Sequence, residues 1–235
     1  MASETKSFAI AAAAAVFATA GDLLMLWVGN ATRPELGLAS PPAGTLWLGA
    51  ALGVFGIPLY AAGYRAASRA LAPECSLARH FVAWTGGVFA LVGAGIHGLT
   101  ASMIADAIAS GAAGDDPLAA VMAGGSLIVG LWVFATALML AASLAFAFEV
   151  ARGRSALPRA FALLNPLFAT IALGFVGLST EPLRAFLTPA APNVAHVLFF
   201  AAAAFTSSSN AALRSSIKSQ RSGTRSRHAI NPKSR

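Results

Sequence analysis

Apolar residues fall in six long blocks, at 8–29, 45–64, 81–105, 118–148, 160–180 and 190–213, separated by short connections rich in polar residues and proline. Each block approaches or exceeds the roughly 20 residues that a helix needs to cross a hydrocarbon core. The pattern predicts an all-α fold: an integral membrane bundle of six transmembrane helices over residues 1–213, followed by a basic disordered tail at 214–235. Pro34, Pro73, Pro117, Pro158, Pro182 and Pro189 mark turns. Pro58 and Pro166 lie inside blocks and are expected to bend the second and fifth helices, because each removes a backbone donor.

The distribution of basic residues orients this bundle. Lys6, the connection with Arg65, Arg69 and Arg79, the connection with Arg152, Arg154 and Arg159, and seven positions from Arg214 to Arg235 share one side, leaving Arg33 and Arg184 opposite. The positive-inside rule then predicts a multi-pass cell-membrane protein with both termini cytoplasmic, and the Ala- and Arg-rich composition points to a bacterial inner membrane. Lys6, the apolar run after it and Ala18-Thr19-Ala20 also resemble a signal peptide. Apolar residues continue through Val28, so an uncleaved first helix is the expectation.

Composition narrows the class further. With 57% hydrophobic and 11% charged residues and a mean hydropathy of +0.71, the chain leaves no room for a large water-soluble domain. The net charge of +7 resides in the tail, which has no Asp or Glu. Lacking aromatics and a recognition fold, the tail is expected to meet anionic lipids and not nucleic acid. The single Cys75 excludes an intrachain disulfide and falls in a connection expected to be cytoplasmic and reducing.

Ionisable side chains within apolar blocks cost several kcal/mol in lipid, so each marks a candidate site. At about 1.5 Å per residue, Asp22, His97 and His196 all lie about 9–12 Å from the outer ends of their blocks. Asn193 precedes His196 by three positions and shares its helix face. Asp22, His97, Asn193 and His196 are therefore the expected ligand-binding residues, lining an outer-half pocket for a small, partly apolar or lipid-like molecule. A second polar layer of Tyr60, Tyr64, Arg65, Glu149, Arg152 and Asn165 is expected near the cytoplasmic boundary. There Glu149 would pair with Arg152 or Arg65, and the tyrosines would anchor at the interface. Small residues four apart, including Gly86, Ala90, Ala94, Gly98, Ser102 and Asp106, and Ala137, Ala141, Ala145 and Glu149, are expected to form the packing stripes of their helices.

No His-x-x-x-His or Glu-x-x-His spacing, phosphate loop or nucleophile elbow occurs, so neither a metal nor a cofactor is expected and no catalytic residue is assigned. The segments GIPLYAAGYRAASRAL (56–71) and GGVFALVGAGIHG (86–98) resemble a group of uncharacterised six-helix polytopic membrane proteins. That resemblance implies a bundle of unknown activity, with His97 the position carried over. Three functional classes stay open: a binding or transport-associated protein, an integral-membrane enzyme using His/Asp acid–base chemistry, and a structural subunit.

Overall fold

The structure, a computed structural model, describes residues 2–27, 43–110, 125–179, 187, 190–210 and 212. The tail and the connections bearing Arg33 and Arg184 lie outside them. Helix α1 (Ala2–Asp22) runs directly into a π-helical turn, Leu23–Trp27. Helix α2 (Ala43–Gly56) and helix α3 (Tyr60–Ala70) form one bent unit, joined by a 3-10 turn at Ile57–Leu59. Pro58 sits in that turn, where its missing N–H deprives the ladder of a bond. Helices α4 (Ser76–Ala109), α5 (Ser126–Ala151), α6 (Pro166–Gly177) and α7 (Ala190–Asn210) follow.

Among the described residues, five helical stretches are long and apolar enough to cross a membrane: Ser3–Met25, Gly44–Ala70, Ser76–Ala109, Ser126–Ala151 and Ala190–Asn210. The fold is thus an all-α bundle, and no strand forms among these residues. The block at 160–180 departs from expectation. Arg159–Ala162 is a 3-10 turn, and α6 starts only at Pro166 and has 12 described residues. That length covers about 18 Å, short of the roughly 30 Å core. Pro166 does not bend a helix; it begins one. The Asn165 carbonyl oxygen of the side chain accepts from Leu167 N (3.0 Å) and Phe168 N (3.3 Å), while its amide donates to the Ala162 carbonyl (2.6 Å). Asn-Pro here is an N-cap followed by the helix position best suited to proline.

Close backbone approach at small residues packs these apolar helices. Helices α1 and α2 meet at Gly21 and Gly49, where a β-carbon on Gly21 would stand 2.6 Å from the Gly49 carbonyl oxygen. Ala11, Ala14, Ala15 and Ala18 are all buried along α1. The stripes expected on α4 and α5 hold only in part: Gly86 and Ala90 are buried, but Asp106 and Ala137 are exposed, and the buried faces also take in Val82, Phe89, His97, Thr100 and Ile104 on α4 and run through Ala135, Met139, Ala142, Phe146 and Val150 on α5. In so Ala-rich a chain, four-residue spacing occurs in every direction, and the larger side chains decide the contact. Helix α7 is the central element, since its Phe199 and Phe200 reach Phe8, Tyr60, Phe146 and Phe161.

At the arginine-bearing end, α5 gives way to Gly153, where the backbone takes a positive φ (76°). Gly153 N donates to Val150 O (2.9 Å) and Arg154 N to Glu149 O (3.0 Å), a helix stop that requires the left-handed conformation glycine adopts freely. Glu149 pairs with Arg154 at 3.6 Å and accepts from the Cys75 thiol at 3.3 Å. The expected pairing with Arg152 or Arg65 is not made, because Arg152 lies over the Phe148 ring, 4.1 Å from its centroid.

Cys75 is buried, and that desolvation, with the Glu149 carboxylate adding to it, pushes its thiol up from the ordinary value. The thiolate is the reactive form, so alkylation by iodoacetamide is expected to be slower than at an exposed cysteine, with its pH profile displaced upward. Glu149→Gln should move that profile part of the way back. The folded chain holds this proton longer than the unfolded chain. Its stabilising contribution is complete below the ordinary thiol pKa and lost as pH rises through the folded one.

Candidate functional site

Three helices deliver the candidate site through their buried faces. Asp22 is the last residue of α1, at the junction with the π-helical turn, a geometry frequent at functional sites. His97 lies on α4, and Asn193 and His196 lie one turn apart on α7. Asn193 Nδ2 donates to Asp22 Oδ2 at 2.6 Å, and His97 Nε2 stands 3.2 Å from Asp22 Oδ1. The His97 contact has the distance of an ion pair but not the alignment of a hydrogen bond, for Nε2 has no hydrogen-bond partner. Thr100, one turn further along the same face of α4, is 3% exposed, and its hydroxyl is likewise without a partner.

His196 does not join this triad directly. It is fully buried and held flat between Phe89 (centroids 5.4 Å apart, planes 9°) and Tyr60 (4.7 Å, 25°). Its Nδ1 lies 2.6 Å from the Pro192 carbonyl, which can only accept, so Nδ1 carries the proton. In the neutral ring Nε2 then accepts the Tyr64 hydroxyl, 2.8 Å away.

Sequence reasoning missed the two tyrosines that complete the cluster. Tyr60 and Tyr64, one turn apart on α3, do not anchor at an interface; both are buried. The Tyr60 hydroxyl donates to Asn193 Oδ1 at 2.7 Å while its ring covers His196. Asn193 thus uses both ends of its amide, accepting from Tyr60 and donating to Asp22. Two hydrogen-bonded arms result, Tyr60–Asn193–Asp22 and Tyr64–His196–Pro192, stacked on each other through Tyr60 and His196.

Glycines make these positions available. A β-carbon on Gly53 would overlap the His97 ring, and one on Gly86 would overlap the Tyr64 ring. Asn165, grouped by sequence with the tyrosines, caps α6 instead, and Arg65 is exposed. Among the described residues no three His, Cys, Asp or Glu side chains gather as metal ligands would.

The fold and this buried Asp–His–Asn–Tyr cluster define an all-α protein of apolar, membrane-length helices with a polar centre. The chain belongs to the family of unknown function DUF6796, whose profile matches residues 1–210 and so takes in every member of the cluster. No curated protein and no solved structure matches it.

Proposed function

We propose that this is a six-pass protein of a bacterial inner membrane, both termini cytoplasmic, that binds a small, partly apolar or lipid-like molecule in an outer-half polar pocket between α1, α4 and α7. The asymmetry of Lys and Arg supports the orientation. The apolar block at 160–180, which holds α6, would supply the sixth pass.

One observation carries the binding reading: the buried pair Asp22–His97, drawn from two distant helices, retains unused polar capacity. His97 Nε2 and Thr100 Oγ1 have no partner beside a carboxylate at the end of a π-helical turn. A purely structural cluster would be expected to satisfy such atoms, since each buried orphan costs about 1–3 kcal/mol. Asp22, His97 and Thr100 would take the polar part of the guest, and Asn193, His196 and Tyr60 would hold them in place.

Native mass spectrometry of protein extracted gently from its own membranes tests this. Wild type is expected to carry a retained small molecule, and Asp22→Asn and His97→Gln to lose it with their helical content unchanged. Absence of any retained molecule in several mild detergents would sink the reading.

A structural role is the second reading, favoured by the mutual satisfaction of Tyr60, Tyr64, Asn193 and His196. It expects the same substitutions to lower thermal stability and change nothing else.

A further inference from the structure

At the end of the bundle away from Asp22, two connections are fastened together. Ala72 N donates to Arg154 O (3.0 Å) and Ala156 N to Ala70 O (2.8 Å), an isolated antiparallel bridge at Leu71 and Ser155. The Ser155 hydroxyl adds a bond to Ala70 O at 3.2 Å. The backbone carrying Arg152, Arg154 and Arg159 is therefore fixed, not a free loop. Gly153 sits between the first two, and the Arg159 guanidinium returns over it, Nη2 3.4 Å from where a β-carbon would stand. Arg152 and Arg154 flank this turn in the chain, Arg159 folds back onto it, and all three residues are exposed.

Their charge is largely uncompensated. Glu149 pairs with Arg154 alone, and no ion pair holds Arg152 or Arg159 among the described residues. The Arg152 guanidinium carbon lies over the Phe148 ring, 4.1 Å from its centroid, and no hydrogen bond or ion pair among the described residues engages its N–H groups, which can therefore receive a planar or tetrahedral oxyanion. Beneath it on α5, Phe148 and Leu144 are 53% and 47% exposed, and Leu163 nearby in the chain is 74% exposed. Anion-binding edges directly above an apolar wall match the two halves of a phospholipid.

We infer that Arg152, Arg154 and Arg159 seat the phosphate of an anionic phospholipid, with its acyl chains against Phe148 and Leu144. Two guanidinium charges remain after Glu149 is counted, so a headgroup of net negative charge is favoured over a zwitterionic one, whose quaternary ammonium they repel. This seat is distinct from the Asp22 cluster and from any pull exerted by the basic tail.

The test uses the full chain in nanodiscs containing equal amounts of phosphatidylglycerol and phosphatidylcholine, with the lipids that stay bound counted by native mass spectrometry after the bilayer is removed. Wild type is expected to retain phosphatidylglycerol over phosphatidylcholine by at least about five-fold. Arg152→Gln with Arg159→Gln should bring the ratio near one, whereas a full-length variant with the seven tail Lys and Arg changed to Gln should keep the preference. Should the double variant fail to fold, Arg159→Gln alone, at an exposed side chain without an ion pair, is expected to lower the ratio at least two-fold. Equal retention of both lipids by wild type overturns the inference. So does loss of preference in the tail variant, or an unchanged ratio in Arg159→Gln.

Discussion

Gly53→Ala is expected to destabilise the folded protein by about 1–3 kcal/mol, the usual cost of forcing extra volume into a packed interior. The added methyl would overlap the Cγ, Cδ2 and Nε2 atoms of His97. The ring cannot stay 3.2 Å from Asp22 once that space is taken. In isolation the substitution should help, because alanine is favoured over glycine within a helix by about 0.5–1 kcal/mol. Gly95→Ala on α4 supplies that reference, since nothing lies within 4 Å of its new methyl.

Thermal unfolding in a fixed detergent, followed by circular dichroism, compares the two. For a chain of this size each kcal/mol moves the midpoint by about 2–4 °C. Gly95→Ala is expected at or above wild type and Gly53→Ala clearly below it. His97→Ala introduced into Gly53→Ala should recover part of the loss, since the methyl then has room, so the two changes will not add. A Gly53→Ala protein as stable as Gly95→Ala would show that the imidazole does not occupy this groove.

The same groove explains what could be read from the sequence. Apolar blocks announced the helices because hydropathy reports burial in lipid or protein alike, and five of the blocks contain helices of membrane length. Asp22, His97 and Asn193 were recognisable since polar side chains within such blocks need partners, and the folded chain brings these three together.

Tyr60 and Tyr64 were misplaced for an identifiable reason. The second block ended at residue 64 when Arg65, Ser68 and Arg69 lowered the hydropathy, yet the helix continues to Ala70. A helix end is set by backbone bonding and not by polarity, so Tyr60 lies about 15 Å inside that end, and both tyrosines are buried against α7. The signals that could have found the pair are their spacing of four and their neighbour Gly63, whose missing side chain admits Phe200. Which way His97 faces was likewise hidden, because the Gly53 that receives it is remote in sequence. Asn165-Pro166 was ambiguous in another way, as the same dipeptide bends a helix when one precedes it and starts one when none does.

Exchange of Asp22 and Asn193 separates the two readings of the cluster. Asn193→Asp alone sets a second carboxylate against Asp22 Oδ2, where an amide now donates at 2.6 Å. No lysine or arginine is paired with either position among the described residues, and the surroundings are buried. A second buried carboxylate with no cation beside it costs several kcal/mol, so this variant should be among the least stable single substitutions in the bundle. Adding Asp22→Asn restores one charge and one amide. The amide introduced on α1 can donate to the carboxylate introduced on α7, and the Tyr60 hydroxyl, 2.7 Å from the present Oδ1 of Asn193, still has an oxygen to donate to. The double exchange is expected to regain most of the lost stability. If it melts no higher than Asn193→Asp alone, the contact between α1 and α7 does not exist. His97, however, then faces an amide in place of a carboxylate. A protein whose sole need is helix registration is indifferent to that change, while a site that holds its guest with the charge of Asp22 next to the free nitrogen of His97 loses the guest. Recovered folding with lost retention in native mass spectrometry is therefore the outcome that a binding site alone produces.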